Sequence, residues 1–276
     1  MISIFISVYN EEERIENFLE SFYDLGKIYV LDKGSTDRTL AICSKYNSIQ
    51  VINLPFSQPY YANFINKIMN EYCMTEWAVF STASDLIHPR LVIELKALIN
   101  NPKIIDYDLI RVPFKTFVLG INSYYSPWYT KSKIYAFRKN ALAVNLNGVH
   151  NGIQYSSEKI YEMNINNDFC VYHLTHKTVS SMMNRHLSYW EGEATLPLNI
   201  DLKLTFKDTI RNIFRVLLKR KSFMLGWDGI MLSFSYITYF MMKFVYQWER
   251  KRSNAKDKYL EIANNIVTEA KYYRNK

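Results

Sequence analysis

Cysteine is scarce in this chain: Cys43, Cys73 and Cys170 are the only three in 276 residues. Widely separated and odd in number, they exclude a disulfide-built scaffold or a cysteine-rich zinc site and suit a reducing compartment. Glycine is also sparse, with 8 residues and no glycine-rich phosphate loop of the kind nucleotidyltransferases show. No apolar run reaches the about 18 to 20 residues a membrane-crossing helix needs. The greasiest segment, 223–248, contains Asp228 and Lys243, with 14 uncharged residues between them. Met1 runs straight into an apolar strand without the basic segment and h-region of a secretory signal, so cytoplasmic residence is expected. The net charge of +8 comes without a helix-turn-helix, zinc-finger or RNA-binding signature, and no nucleic-acid partner is expected.

What the chain does have is a hydrophobic fraction of 49%, enough for a substantial core, and a repeated strand-helix order. Strands are expected at Ile2 to Val8, Lys27 to Leu31, Ile49 to Leu54 and Trp77 to Phe80. Helices are expected to carry Ile15, Phe18, Leu19 and Phe22, then Leu40 and Ile42, then 59–72, and 89–99 with Pro89 at its start. Beyond Pro102 the texture changes to short β-like runs at 109–113, 135–138 and 169–172, read as an antiparallel acceptor-side subregion. The expectation is an α/β fold, a Rossmann-type mostly parallel sheet flanked by helices, with a helical, basic, amphipathic appendage at its C-terminal end. The division expected is 1–200, with a donor half 1–101 and an acceptor half 102–200, followed by 201–276.

Two strand-to-helix turns carry the chemistry. The first is Val8-Tyr9-Asn10-Glu11-Glu12-Glu13; the second is Asp32-Lys33-Gly34-Ser35-Thr36-Asp37. In an open parallel sheet both lie at the carboxyl edge, where backbone amides and helix N-termini take up nucleotides. Asp32 can accept hydrogen bonds from a base or ribose, and Tyr9 can cover a base face. Ser35 or Thr36 is expected to cap the following helix. Taken together the turns read as a pocket, and Asp37 alone as a cap.

These two segments, with Glu76-Trp77-Ala78-Val79-Phe80, Gly148-Val149-His150 and Leu225-Gly226-Trp227-Asp228-Gly229, resemble the family-two glycosyltransferases, inverting nucleotide-sugar enzymes of the GT-A fold. The likeness is greatest to the branch that includes lipopolysaccharide core glucosyltransferases. It implies a nucleotide-sugar donor, a glycan or lipid-linked acceptor, and donor contacts from Val8, Tyr9, Asn10, Glu12, Asp32, Lys67 and Ser84.

The resemblance also implies an Asp-x-Asp pair after the fourth strand, holding Mg²⁺ or Mn²⁺ against the diphosphate. The chain has Ser81-Thr82-Ala83-Ser84-Asp85 there, with Thr82 and Ser84 at the positions of the two acids. Asp85 is the remaining carboxylate. It is therefore the candidate for metal and for catalysis, with three readings open: Asp85 in a metal role with His150 or His173; basic groups such as Lys33, Lys67 or Arg90 in place of a metal; or a site that binds without catalysing. The catalytic base is read as His150, Asp85 or Glu158. The related branch has Glu after Val-His, but here Asn151 follows His150. Trp128, Asn151 and His173 are assigned to the acceptor side, Trp128 on an aromatic loop suited to stacking on sugar. His173 and His176 are expected on opposite faces of a strand, against a zinc site.

Charge is concentrated at the end of the chain: from Lys203 onward there are 16 Lys or Arg against 6 Asp or Glu. Lys207, Arg211, Arg215 and Lys219 recur every four residues, with Phe206, Ile210, Ile213, Phe214 and Leu217 on another face. That pattern suits a helix lying on an anionic membrane surface.

Overall fold

The computed structural model describes residues 1–54, 62–142, 153, 155–164, 168–194, 201–252 and 255–274. It forms two compact units, Met1–Arg185 and His186–Lys276.

The first unit is built on strands β1 (Ile2–Val8), β2 (Gly26–Asp32), β3 (Ile49–Asn53), β4 (Trp77–Thr82), β5 (Asp85–Ile87), β6 (Leu109–Val118), β7 (Ser132–Arg138), β8 (Ile160–Glu162) and β9 (Val171–Thr175). Their order is β3-β2-β1-β4-β7-β6-β9-β5, with β8 beside β6. The first four run parallel, β7 runs antiparallel to both β4 and β6, and β5 runs antiparallel to β9. The α/β expectation is met in a curled mixed sheet.

Helices α1 (Ile15–Phe22), α2 (Thr39–Cys43), α3 (Ala62–Tyr72) and α4 (Pro89–Ile99) follow the first strands. The near-continuous apolar strands are covered on both faces, as parallel sheets require. Ile4, Ile6, Ile28 and Val30 pack in one cluster with Phe18 and Leu19 of α1 and Leu91 and Leu95 of α4. Phe5, Tyr29 and Leu31 point the other way, toward Ile68 and Met69 of α3. Gly26 lets β2 start hard against β1, since a Cβ there would stand 2.0 Å from the Ile2 carbonyl oxygen. Proline opens α4, and the His88 ring Nδ1 accepts the Arg90 amide at 3.1 Å.

Helix α5 (Val179–Ala194) leads from the first unit into the second, which continues with α6 (Leu202–Phe214), a π turn over Arg215–Lys219, α7 (Gly226–Arg252) and α8 (Ala255–Arg274). Within this unit Trp190 stacks on Tyr239, and its Nε1–H donates to the Tyr239 carbonyl at 3.2 Å. Thr209, Asn212 and Val216 are buried, whereas Phe206, Ile210, Phe214 and Leu217 are exposed. No helix among the described residues is long and apolar enough to cross a membrane.

Candidate functional site

The ends of β1, β2 and β4 lie side by side: Val8 pairs with Asp32, and Ser7 with Thr82. The two turns that leave β1 and β2 are laced together. The Asn10 amide donates to Ser35 Oγ at 3.0 Å, and the Thr36 amide donates to Asn10 Oδ1 at 2.8 Å. The Glu11 amide reaches Thr39 Oγ1 at 2.7 Å, and the Glu12 amide reaches Asp37 Oδ2 at 3.0 Å. Glu12 Oε2 in turn accepts from the Arg38 amide and Nε, both at 3.1 Å. Asn10 sits in the left-handed region at φ 54°, which its side chain tolerates, and Gly34 at φ 83°.

Asp32 is buried and turned into its own loop, accepting from the Gly34 amide at 2.9 Å, the Ser35 amide at 3.1 Å and Ser35 Oγ at 2.5 Å. Ser35 and Thr36 therefore do not cap α2, contrary to expectation. Asp37 does that work, accepting the Thr39 amide at 2.9 Å. Tyr9 follows Val8, the register partner of Asp32, and is 44% exposed. The Val8 side chain belongs to the core, and its carbonyl accepts the Lys33 amide at 3.1 Å. Burial lowers the pKa of the Lys33 ammonium on the same turn. Lys67 is exposed on α3.

After β4 the chain folds back as β5, a three-residue strand that pairs Asp85 with His173 of β9. His173 Nδ1 lies 2.6 Å from Asp85 Oδ1, and Ser81 Oγ donates to Asp85 Oδ2 at 2.6 Å. Ser81 Oγ is also 2.8 Å from the buried Tyr135 hydroxyl. Burial opposes ionisation of Asp85, but the His173 hydrogen bond and charge, the Ser81 hydroxyl and the Lys133 charge outweigh it and hold the carboxyl below its ordinary range. The Tyr135 phenol is pushed well upward, by burial first and by the Asp85 charge second. The imidazole keeps 25% of its side-chain surface exposed.

Nothing in the sequence marks out Arg14. Its Nη1 donates to Ser84 Oγ at 2.8 Å, and its Nε donates to Glu11 Oε2 at 2.7 Å, with a second, shorter bond from Nη2 to the same oxygen. Arg185 Nη2 lies 3.5 Å from Glu11 Oε1. The first turn is thereby joined to the β4–β5 turn through a guanidinium.

Trp128 lies on the loop joining β6 to β7, half-buried, its amide donating to Ser126 Oγ at 3.3 Å. That loop leaves β6 next to β9, where Thr116 is the register partner of His173. His150 and Asn151, expected on the catalytic and acceptor sides, lie outside the described residues. Glu158 lies just before β8 and is exposed, and His176 follows β9 at φ 52°. Two hollows sit elsewhere, one lined by Glu76, Asp108, Arg138 and Ser157, the other by Ile2, Tyr23, Lys27 and Lys96. Neither includes a residue of the laced turns.

A family model described as Glycosyl transferase family 2 matches residues 3–149. No curated protein matches the chain by sequence. Among solved structures the chain is similar to residues 1–349 of TarS from S. aureus, at 15% identity over 93% of this chain and 91% of that one, with a TM-score of 0.45. It is similar to the mannosyltransferase PcManGT of Pyrobaculum calidifontis, in complex with GDP-Man and Mn²⁺, at 13% identity over 93% and 87% of the two chains, TM-score 0.40. A third is the glucosyl-3-phosphoglycerate synthase of Mycobacterium tuberculosis, in complex with Mn²⁺, UDP and glucosyl-3-phosphoglycerate. The match there is 19% identical over 51% of this chain and 58% of that one, TM-score 0.36.

Proposed function

Because the chain belongs to glycosyl transferase family 2, we propose that it moves a hexosyl group from a nucleotide sugar to a hydroxyl of an envelope glycan or lipid-linked acceptor, such as lipopolysaccharide or capsule, with inversion at the anomeric carbon. The observation that carries this reading is the hydrogen-bonded Asp85–His173 pair, next in sequence to Ser84 and beside the laced turns. A carboxylate on Nδ1 fixes an imidazole in one orientation and one tautomer, leaving Nε2 to accept a proton. His173 is accordingly the base, and Asp85, too buried to meet an acceptor itself, orients it.

The acceptor oxygen forms its bond to the anomeric carbon as the bond to the diphosphate breaks. The electron pair leaves with the nucleoside diphosphate, and the acceptor proton passes to His173 Nε2. Tyr9 stacks on the base of the donor, the Asp32 loop approaches the nucleoside, and Trp128, with His150 and Asn151, attends the acceptor.

The described residues at this site do not fit a resident Mg²⁺ or Mn²⁺. Thr82 and Ser84 offer neutral hydroxyls, both Asp85 oxygens are hydrogen-bonded, and the nearby Arg14 guanidinium repels a cation. No cluster of three or more His, Cys, Asp or Glu suited to a metal occurs among the described residues. No step of the reaction is routed through one.

The second unit would hold the enzyme on the anionic inner face of a membrane. The support is an α6 whose small and polar Thr209 and Asn212 are buried while Phe206, Ile210 and Phe214 are exposed beside Lys207 and Arg211.

The test is release of nucleoside diphosphate from UDP-glucose, UDP-galactose and GDP-mannose by the purified full chain. Release by the wild type that His173→Gln abolishes supports transfer chemistry. Donor binding by calorimetry without release would instead favour a sugar-nucleotide-binding protein that has lost catalysis, the reading to which neutral Thr82 and Ser84 lend weight.

A further inference from the structure

We propose that Arg14 takes the part of the divalent cation, binding the donor diphosphate and meeting the charge that develops on it as the sugar departs, so that the site works without metal. The inference rests on the nucleotide-sugar reading of the laced turns.

Three observations carry it. The first is position: Arg14 Nη1 is 2.8 Å from Ser84 Oγ, so a permanent positive charge stands on the residue that replaces an expected metal-binding acid. The second is rigidity. Glu11, only 9% exposed at its side chain, grips the guanidinium through Nε and Nη2, and its amide is itself fixed by Thr39. A cation clamped before the substrate arrives costs no reorganisation during the reaction, which is where electrostatic catalysis gains most. The third is spare capacity. A guanidinium has five N–H donors, and the three bonds to Glu11 and Ser84 leave two for a phosphate, on a side chain that keeps 28% of its surface exposed. Arg185, 3.5 Å from the other Glu11 oxygen, brings a second guanidinium to this cluster.

The same arrangement explains why a serine is tolerated at position 84. Glu11 already pairs with Arg14, and a second carboxylate at position 84 would tip the cluster toward negative charge and repel the diphosphate. A hydroxyl orients the guanidinium by a hydrogen bond without adding that charge.

The experiment is isothermal titration of the full chain with UDP, GDP, CDP and ADP, once in EDTA and once in Mn²⁺. One of them is expected to bind with an affinity that differs by less than threefold between the two conditions. Arg14→Gln should weaken that binding at least tenfold in EDTA, with no recovery in Mn²⁺. Tightening of wild-type binding by Mn²⁺ of tenfold or more would overturn the inference and leave the glycosyltransferase reading standing; no binding of any nucleotide under either condition would bring down both. Because Arg14→Gln leaves Glu11 unpaired and can unfold the turn, paramagnetic resonance of Mn²⁺ added to the wild type without nucleotide gives an independent readout. An undiminished free-ion signal is expected, and stoichiometric loss of that signal overturns the proposal.

Discussion

Asp85 and His173, 88 positions apart in sequence, meet at 2.6 Å across the β5–β9 pair, one carboxylate oxygen on the imidazole and the other on the Ser81 hydroxyl. The proposed role of His173 as base predicts a separation of effects on turnover. His173→Gln should lower kcat for donor consumption by about 10²- to 10⁴-fold while leaving donor affinity within a few-fold. A loss confined to affinity would assign the ring to binding.

The same pair sets acid stability. The Asp85 carboxyl is held below its ordinary range in the folded chain, so its contribution to stability is complete above about pH 4. It is lost as pH falls through the folded value, because the unfolded chain then binds the proton more readily. Asp85→Asn should destabilise the fold at neutral pH by about 1–3 kcal/mol and flatten this acid limb. Urea unfolding midpoints between pH 3 and 7 measure both.

The laced turns make a different prediction. Asn10 supplies both a tolerated positive φ and the acceptor for the Thr36 amide. Asn10→Ala removes both and should cost about 1–2 kcal/mol. Asn10→Gly keeps the backbone conformation and should recover part of the loss. Equal destabilisation by the two variants, followed by thermal unfolding, would show that the hydrogen bond alone matters.

Much of this site was legible from the chain alone. Strands β1, β2 and β4 announce themselves as apolar runs, and polar residues at their ends fall at one edge because consecutive parallel strands share a direction. Strand β5 was not legible. Its three residues have no period to read, and they pair only because β9 arrives from far along the sequence. Nor was Arg14, whose side chain reads as an exposed charge at a helix start until the fold brings Ser84, 70 residues away, against it. Ser35 and Thr36 depart from the cap their sequence suggests for a related reason: a hydroxyl before a helix looks like a cap, but the neighbouring turn and Asp32 compete for it. The basic helix α6 was legible as amphipathic, but not which face its own unit would bury.

His186 in the second unit is buried between Trp190 and Tyr239, and burial lowers its pKa. An imidazole kept neutral by the fold stabilises it fully above the unfolded value of about 6.5, and that contribution fades as pH falls further, because the unfolded ring protonates first. Quenching of tryptophan fluorescence should therefore report loosening of this unit between about pH 6 and 5. His186→Phe should abolish the dependence.

The exposed residues around the start of α7 supply the last expectation. Phe223 and Met224 are each 58% exposed and Trp227 is 77% exposed, a cluster whose transfer out of water is worth several kcal/mol when the side chains insert. Lys219, Arg220 and Lys221 precede it directly, and basic residues near an anionic leaflet add about 1 kcal/mol each at moderate ionic strength. Apolar insertion and electrostatic attraction separate experimentally, because only the second is screened by salt. The full chain should sediment with vesicles containing phosphatidylglycerol and much less with phosphatidylcholine alone. Phe223→Ser combined with Trp227→Ser should weaken binding at every salt concentration, whereas replacing the three basic residues with Gln should weaken it at low salt and leave little difference at high salt. Equal binding to neutral and anionic vesicles would remove the basic residues from the contact, and undiminished binding of the Phe223 and Trp227 double variant would move the apolar contact to another part of the chain.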